Sequence, residues 1–600
     1  MSVATESAEP RPIGLVHLSV IAFGLGICAG FGAIFFRGLI GFIHNLAFLG
    51  EVSVVHDASQ FTPASPWGPG IILVPVLGAL VVNFLIVRFA PEARGSGVPQ
   101  VMEAIYYSEG RIRPVVAGFK SLAAALSIGT GASVGREGPI IQIGASIASW
   151  FGQIIPMAPW QRITLVAAGA GGGIAATFNT PLGGVMFAIE MMMPEVSSRT
   201  FLPVALATGA ATFISRAFLG LDPAFRLPPL PPFTYDTDSI VVLLLYGALG
   251  VIVGLGAAAF VRGFDWSGKI FEKIPNSYAR HCLGMLGVGV MMYLLFVFLG
   301  RYYVEGVGYA TIEAVLANSL DILPLLVFLF FAKLTATLLS LGSGASGGIF
   351  SPSLFLGAVL GAAFGIAANW LSPGLDVSPV SFAVVGMAAM VGGATGAAMT
   401  AVTMIFEMTR DFSIVMPMIV AVAIAVGVRR VLSRENIYTI RLVALRHYIP
   451  KALHANMFLV RHAGEVMERD VLVVPADTAL DQFLKQVAEA GAVRHLVVTK
   501  ADEISGVQTV DAAIRRGLKR SPTDLTLGQI VKPEFAIAQE DDTMFHVLRR
   551  MHDRKADMAV VVKGTGVWNG MPQGEDVLGV ISKDRIADSV IASVLPYTAG

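Results

Sequence analysis

Long apolar, glycine-rich runs follow one another along the chain up to about residue 430. Clear examples span 71–89, 240–261, 283–299 and 412–428, and many runs approach the roughly 20 residues that a membrane-spanning helix needs. Other runs are shorter and interrupted, which is typical of re-entrant or half-spanning helices. After about residue 440, Asp, Glu, Lys and Arg become frequent. The pattern predicts a membrane domain followed by a soluble domain.

Composition agrees with this division and narrows the chemistry. Hydrophobic residues make up 54% of the chain and charged residues 14%, against about 25% charged in an average soluble protein. The net charge of zero gives no electrostatic reason to expect a nucleic-acid partner. Cys28 and Cys282 both lie in apolar runs, and the ten histidines are scattered, so we expect no metal site and no required cofactor. The first 12 residues are polar and lack the features of a signal peptide.

One glycine-rich sequence occurs twice. Residues 120–139 read KSLAAALSIGTGASVGREGP, and residues 333–352 read KLTATLLSLGSGASGGIFSP. A second block repeats in the same order, with 168–191 matching 385–408 and Glu190 opposite Glu407. Close helix packing explains any one run of small residues, but not two ordered blocks. We therefore predict two homologous halves, in which broken helices at matching places form a transporter's binding site.

Three short motifs share one physical plan. They are Gly95-Ser96-Gly97-Val98-Pro99, Gly135-Arg136-Glu137-Gly138-Pro139 and Gly348-Ile349-Phe350-Ser351-Pro352. In each, glycine allows a tight turn and close approach of a ligand, and the proline is expected at the first position of a helix. Helix N-termini carry free N–H groups and a partial positive charge. Three such ends converging in the membrane would bind an anion weakly enough to release it; the alternative is three ordinary loop-to-helix junctions.

These motifs, together with Tyr438 in the sequence NIYTIRL, resemble those of the CLC family of chloride channels and chloride/proton antiporters. The resemblance covers about residues 15–442. It implies an α-helical polytopic membrane protein with two inverted-repeat halves and broken, re-entrant helices. It also implies a homodimer in the lipid bilayer of the cell (inner) membrane, with a pathway for chloride and similar monovalent anions in each subunit and no enzymatic activity.

The resemblance also implies roles for single residues. Ser96 and Tyr438 would bind the central anion through hydroxyl groups, and Ile349 and Phe350 through backbone N–H groups. Glu137 would be the gate, because a carboxylate on an anion-binding helix start competes with the anion until it is protonated. The alternatives for Glu137 are a helix cap or a pair with Arg136.

The charge of Lys120 has two interpretations. It could be a buried cation that raises the local positive potential, or its side chain could reach the membrane interface.

One position departs from the proton-coupled members of the family. In them, the stretch that matches 179–191 carries two adjacent glutamates, of which the second is the internal proton-transfer residue. Here Glu190 is followed by Met191, and a thioether cannot carry a proton. We therefore expect channel-like or weakly proton-coupled chloride transport; the alternative is an antiporter with a non-standard internal proton path.

Other departures from the family pattern, and other possible functions, change this expectation little. Ser96 agrees with chloride rather than fluoride as the substrate. Ala397, Ala398 and Met399 replace an expected proline-containing turn, without a functional interpretation. An intramembrane hydrolase would need a catalytic cluster that the sequence does not display. A cation or magnesium transporter would need acidic side chains where these motifs present N–H donors.

The soluble part also repeats itself, with 466–499 matching 530–563. Each copy is predicted as strand, helix, strand, strand, helix, with Gly506 and Gly579 opening the later strand. It resembles a C-terminal α/β tandem of CBS domains, which often bind adenine nucleotides. Ser582 and Asp584 are the candidate ligands, but they lie one residue too close for the usual pattern, and an insertion spans 564–576. A structural or dimer-contact role is the alternative.

These observations give a domain plan and an orientation. The predicted parts are a polar tail (1–12), a CLC-type membrane domain (13–442, with halves of about 15–215 and 240–430), a linker (443–462) and tandem CBS domains (463–597, with copies of about 463–520 and 527–597). Basic residues follow the last apolar run, namely Arg429, Arg430, Arg434 and Arg441. The positive-inside tendency then places the CBS domains in the cytoplasm.

Overall fold

The computed structural model describes residues 12–194, 196–221, 223–228, 237–372, 377–445, 447, 449, 457–490, 493–519, 526–564 and 572–598. Most of the predicted tail, the centre of the predicted linker and most of the 564–576 insertion therefore lie outside the described residues. The chain divides into two compact units, 1–449 and 450–600. The division falls within the linker that the sequence suggests.

The first half of the membrane unit contains eight α-helices in its described residues. They are α1 (Leu15–His44), α2 (Val74–Arg88), α3 (Val98–Tyr107), α4 (Val115–Gly129), α5 (Glu137–Ile154), α6 (Pro159–Phe178), α7 (Pro181–Phe187) and α8 (Ser198–Leu219). A π-helical turn, Ala188–Met192, extends α7.

The second half follows the same order. Its described helices are α9 (Thr237–Glu272), α10 (Ser277–Leu299), α11 (Tyr309–Leu316), α12 (Leu323–Ser343), α13 (Phe350–Leu371), α14 (Pro379–Thr395), α15 (Ala398–Thr409) and α16 (Val415–Leu432), followed by the short α17 (Thr439–Ala444). Packing repeats as well: α5 lies on α6 as α13 lies on α14, and α1 lies on α8 as α9 lies on α16. Each half is thus one structural copy.

Eight of the described helices are long and apolar enough to cross a membrane. They include α1, α8, α12 and α13, while α4, α7, α14 and α15 are apolar but shorter. This mixture of long and short apolar helices agrees with the spanning and interrupted elements expected from the hydrophobic pattern. The chain is a multi-pass integral membrane protein.

Small residues bring helices of each half into backbone contact. A Cβ on Gly144 of α5 would lie 2.2 Å from the carbonyl oxygen of Gly169 on α6. In the other half, a Cβ on Gly357 of α13 would lie 2.3 Å from the carbonyl oxygen of Gly386 on α14. At these four positions the packing interpretation of the glycines is correct, because any side chain would separate the helices.

The C-terminal unit consists of two similar α/β copies. The first contains α18 (Ala463–Val466), β1 (Val471–Pro475), α19 (Leu480–Ala490), β2 (His495–Lys500), β3 (Glu503–Thr509) and α20 (Val510–Lys519); the second contains β4 (Ala536–Gln539), α21 (Met544–Asp553), β5 (Met558–Val562), β6 (Val577–Ser582) and α22 (Lys583–Thr598). In each copy the first two strands are parallel and the third is antiparallel. The order of elements is the predicted one.

The two copies join through their third strands. The N–H of Val507 in β3 donates to the carbonyl of Lys532, and the N–H of Val580 in β6 donates to that of Glu468. Gly506 and Gly579 do not open these strands, as the sequence suggested, but lie inside them. The strands begin earlier because their pairing with β2 and β5 begins at Glu503 and Val577. Glycine is required inside β6 because a Cβ on Gly579 would lie 2.6 Å from the carbonyl oxygen of Glu468.

Candidate functional site

The three glycine motifs meet inside the membrane unit. Gly135 and Gly348 exchange two backbone hydrogen bonds, with N···O distances of 2.7 and 2.6 Å, and the N–H of Gly347 donates to the carbonyl of Gly95 at 3.2 Å. A Cβ on Gly138 would lie 2.1 Å from the carbonyl oxygen of Ser96. The starts of α3, α5 and α13 therefore converge at one place.

The prolines stand slightly deeper in these helices than expected. Pro99 is the second residue of α3, and Pro139 and Pro352 are the third residues of α5 and α13. The expectation of a first-position proline is wrong because the first residues of an α-helix lack N–H partners within the helix, so proline is tolerated throughout the first turn. At α13 the N–H of Ser351 is already engaged by Glu137, so the donors left for an anion are the earlier N–H groups of Ile349 and Phe350.

Four of the residues predicted to bind the anion are buried near this junction. Ser96 precedes α3, Tyr438 precedes α17, and α17 packs against α3. Within the described residues, neither hydroxyl group forms a hydrogen bond. The N–H groups of Ile349 and Phe350, at the start of α13, have no described partner either. All four groups are available as donors to an anion.

Glu137 is the first residue of α5, and its side chain is fully buried. Its Oε1 accepts hydrogen bonds from the hydroxyls of Tyr309 and Ser351, and its Oε2 accepts one from the N–H of Ser351 at 3.3 Å. All three donors belong to the second half. The carboxylate therefore bridges the halves instead of capping its own helix.

Arg136 does not pair with Glu137 among the described ion pairs. Its guanidinium Cζ instead lies 5.2 Å from the ring centroid of Tyr309, and its buried Nε has no hydrogen-bond partner among the described residues. Arg136 and Tyr309 line a cavity of about 500 Å³, the gate cavity, which Arg37 and Phe178 also line. The charged residues that line it are three arginines and two carboxylates, namely Arg37, Arg136, Arg226, Asp57 and Glu313. Their excess of one positive charge favours the approach of anions.

Two buried lysines hold the loops that lead into the site. Lys120 is fully buried, and its Nζ donates to the carbonyls of Ala93 and Gly95 at 2.9 and 2.8 Å. Lys333 in the other half does the same with the carbonyls of Val304 and Gly306, at 3.1 and 2.8 Å. The side chain of Lys120 therefore does not reach an interface; that it raises the local positive potential stays a prediction.

Comparison with known proteins identifies the fold. Residues 78–430 match the family model described as voltage gated chloride channel, and residues 463–515 match that of the CBS domain. The chain belongs to the CLC family of chloride-transport proteins. The family resemblance and the predicted fold class, two repeat halves followed by a CBS pair, are thereby confirmed.

Individual relatives cover most of the membrane unit. The H(+)/Cl(-) exchange transporter ClcA of Vibrio parahaemolyticus is 32% identical over 428 residues, which are 70% of this chain and 88% of that protein. A solved structure described as a slow cyanobacterial Cl−/H+ antiporter is 26% identical, with a TM-score of 0.62, and covers 71% of this chain and 97% of its own. A eukaryotic CLC transporter, 20% identical with a TM-score of 0.59, covers 94% of this chain and 99% of its own, and shows the fold alone.

In this CLC protein Glu190 serves as a helix cap. Its carboxylate accepts hydrogen bonds from the N–H groups of Met399 and Thr400, at 3.2 and 2.8 Å, at the start of α15. Glu407 accepts from Leu182 and Gly183, at 3.1 and 2.7 Å, at the start of α7. Each glutamate thus caps the start of a short helix in the opposite half.

The turn before α15 forms without the expected proline. Gly396 ends α14 with φ of +79°, and the hydroxyl of Thr395 accepts the N–H of Ala397 at 3.1 Å. Met191 lies next to Glu190 in the π-helical turn and is buried.

Sequence reasoning missed Tyr309. In the second half, residues 306–310 read GVGYA and take the place of GSGVP at 95–99. The serine and the proline are absent, so the copy is hard to recognise. The paired lysines would have revealed it, since Lys120 holds the carbonyl of Gly95 and Lys333 holds that of Gly306.

The two candidate nucleotide ligands of the CBS pair lie at the start of α22. The hydroxyl of Ser582 accepts the N–H of Arg585 at 3.1 Å at the start of α22, and Asp584 is exposed. Neither residue lines the cleft of about 820 Å³ in this unit, which lies among Asp477, Thr499 and Asp502 in the first copy.

Proposed function

We propose that this CLC protein passes chloride and similar monovalent anions down their gradient, with Glu137 as the gate and with weak or no proton coupling. The observation that carries the proposal is the position of the Glu137 carboxylate, which lies fully buried on donors at the junction of the three motifs. A carboxylate there occupies donors that would otherwise attract an anion, and protonation removes the charge that holds it.

Weak proton coupling is supported by the chemistry of Glu190 and Met191, the two positions that match the paired glutamates of proton-coupled family members. Both oxygens of Glu190 are engaged as a helix cap, and Met191 beside it has no proton to exchange. The second candidate is chloride/proton exchange by another internal path. The names of the Vibrio and cyanobacterial relatives, which are exchangers, favour it.

The proposed assembly is a homodimer in the inner membrane, with the CBS domains in the cytoplasm, as the family resemblance implies. For the CBS pair we propose a structural role, because Ser582 is engaged as a helix cap. Adenine nucleotide binding stays a prediction.

Reversal potentials of the full-length protein in a lipid bilayer test the proposal. Under opposed chloride and pH gradients, we expect the potential to follow the chloride gradient and the pH gradient to move it little. In Glu137→Gln, chloride flux should lose its pH dependence, because the neutral amide imitates the protonated gate. Glu51→Gln, at an exposed carboxylate, is the control. Uphill proton movement driven by chloride would establish the exchanger instead, and a pH dependence retained in Glu137→Gln would reject Glu137 as the gate.

A further inference from the structure

Two hydroxyl groups meet on one oxygen of the gate. Tyr309 Oη and Ser351 Oγ both donate to Glu137 Oε1, and they lie 3.0 Å from each other. Ser351 is fully buried, and Tyr309 is 5% exposed. Hydrogen bonds to an ionised carboxylate are about twice as strong as those between neutral groups.

The phenol of Tyr309 is held in place without Glu137. Gly308, which precedes it, has φ of +79° and ends the turn that Lys333 holds through Val304 and Gly306. One face of the ring lies beneath Arg136, and Phe225 packs edge-on, with ring centroids 5.5 Å apart. The hydroxyl is therefore positioned before the carboxylate arrives.

Ser351 is placed by the start of α13. It is the second residue of α13, and its N–H donates to Glu137 Oε2 while its hydroxyl donates to Oε1. Gly135 leaves the space, since a Cβ there would lie 2.2 Å from Glu137 Oε2 and 3.1 Å from Ser351 Oγ. The receptor for the carboxylate is built from two helix starts of the second half.

We infer that Tyr309 and Ser351 form a two-hydroxyl latch that holds the ionised side chain of Glu137 in the closed position and sets the pH at which the gate opens. The inference rests on the proposed role of Glu137 as the gate. In it, Tyr309 and Ser351 are positioning residues, because they act through Glu137.

The direction of the pH effect follows from the donors. Both hydroxyls favour the charged carboxylate, so the latch keeps the gate closed until the solution is acidic enough to protonate Glu137. Removing one donor makes protonation easier, and the gate then opens at a higher pH. Charged and titratable groups that face the gate region from neighbouring elements stay unchanged in this comparison; they are Arg37, Asp57, Arg136, Arg226, Glu313, Lys333 and Tyr438.

The test measures chloride flux against pH for the full-length protein in liposomes. In Tyr309→Phe and in Ser351→Ala, we expect the midpoint of activation to move to higher pH by about one unit, which corresponds to the loss of one hydrogen bond to a charged group. Tyr303→Phe is the matched control: Tyr303 is also buried, and its hydroxyl makes no hydrogen bond among the described residues. Two independent latch variants keep the test valid if one of them fails to fold.

A gate-free background separates the latch from the gate. In Glu137→Ala, adding Tyr309→Phe should leave the flux unchanged at every pH. If Glu137→Ala loses pH dependence but both latch variants keep the native midpoint, the latch is wrong and the gate stands. If Glu137→Ala keeps its pH dependence, the gate itself is wrong. An equal shift in Tyr303→Phe, or an effect of Tyr309→Phe without Glu137, would also overturn the latch.

Discussion

Gly138 shows how a single missing side chain controls the distance between helix starts. Its Cα faces the carbonyl of Ser96, where a Cβ would approach to 2.1 Å, and the backbone of Gly348, where it would approach to 3.1 Å. Both neighbours are backbone atoms, which cannot rotate away as a flexible side chain can. Any larger residue must therefore push α3 and α13 away from α5.

We predict that Gly138→Ala lowers chloride affinity about tenfold, because overpacking of about 1–3 kcal/mol displaces the Ser96 donor. Isothermal titration of the purified protein with chloride measures it. Gly118→Ala is the control, since no atom lies within 4 Å of a Cβ at this position in α4. Native affinity in Gly138→Ala would mean that the motifs do not set the anion site.

For single residues, the sequence predicts the donors of the anion site better than it predicts the hydroxyl groups that contact Glu137. Ser96 and Ile349 are recognisable because glycines and a proline surround them. Tyr309 is not, since GVGYA preserves only the two glycines of its counterpart. Which hydroxyls contact Glu137 depends on how two distant helix starts meet, and no local pattern encodes that meeting.

Among the elements, α7 and α15 depend on carboxylates from each other's half. Each is short, with seven and twelve residues, and each begins with N–H groups that have no partner within the helix. Glu407 satisfies two of them in α7, and Glu190 satisfies two in α15. The repeat predicts that the two glutamates correspond, but their reciprocal exchange emerges only when the halves are packed together.

We predict that Glu190→Gln and Glu407→Gln each cost about 1 kcal/mol of stability, because each removes a negative charge from a helix N-terminus. Thermal unfolding of the protein in detergent measures this loss. Neither variant should change the proton-to-chloride ratio in liposomes. Glu407→Gln is the matched control for Glu190→Gln, and a ratio that changes only in Glu190→Gln would place Glu190 on a proton path.

Across the whole molecule, duplication builds both units. In the membrane unit, matching helix starts from two halves meet at Gly135 and Gly348. In the C-terminal unit, β3 and β6 contribute Val507 and Val580 to one apolar cluster between the copies. Repeats are visible in a sequence, so both architectures could be predicted. The predicted starts of β3 and β6 are less accurate. Each strand begins where its pairing with β2 or β5 begins, and the glycines do not mark that position.

The C-terminal unit also contains a charge cluster whose stabilising effect depends on pH. Asp557, at the start of the second copy's central strand, contacts Lys583 at 2.7 Å and Lys532 at 2.8 Å. The hydrogen bonds from Lys532 and Lys583 lower the pKa of Asp557 from 3.8 to about 2. Because the folded pKa lies below the unfolded one, the stabilisation is present above pH 3.8 and is lost as the pH falls through about 2.

We predict that Asp557→Asn destabilises the C-terminal unit at neutral pH by about 0.5 kcal/mol, a small effect because the carboxylate is half exposed and screened by salt. Faster amide hydrogen exchange in β5 and β6 of the full-length protein would report it, and high salt should reduce the difference from the native protein. Asp553→Asn is the control, since the ion pair of Asp553 within the described part of the chain is an exposed contact with Arg549 at 4.0 Å. Equal exchange in the two variants would show that the Asp557 cluster adds nothing beyond an ordinary surface pair.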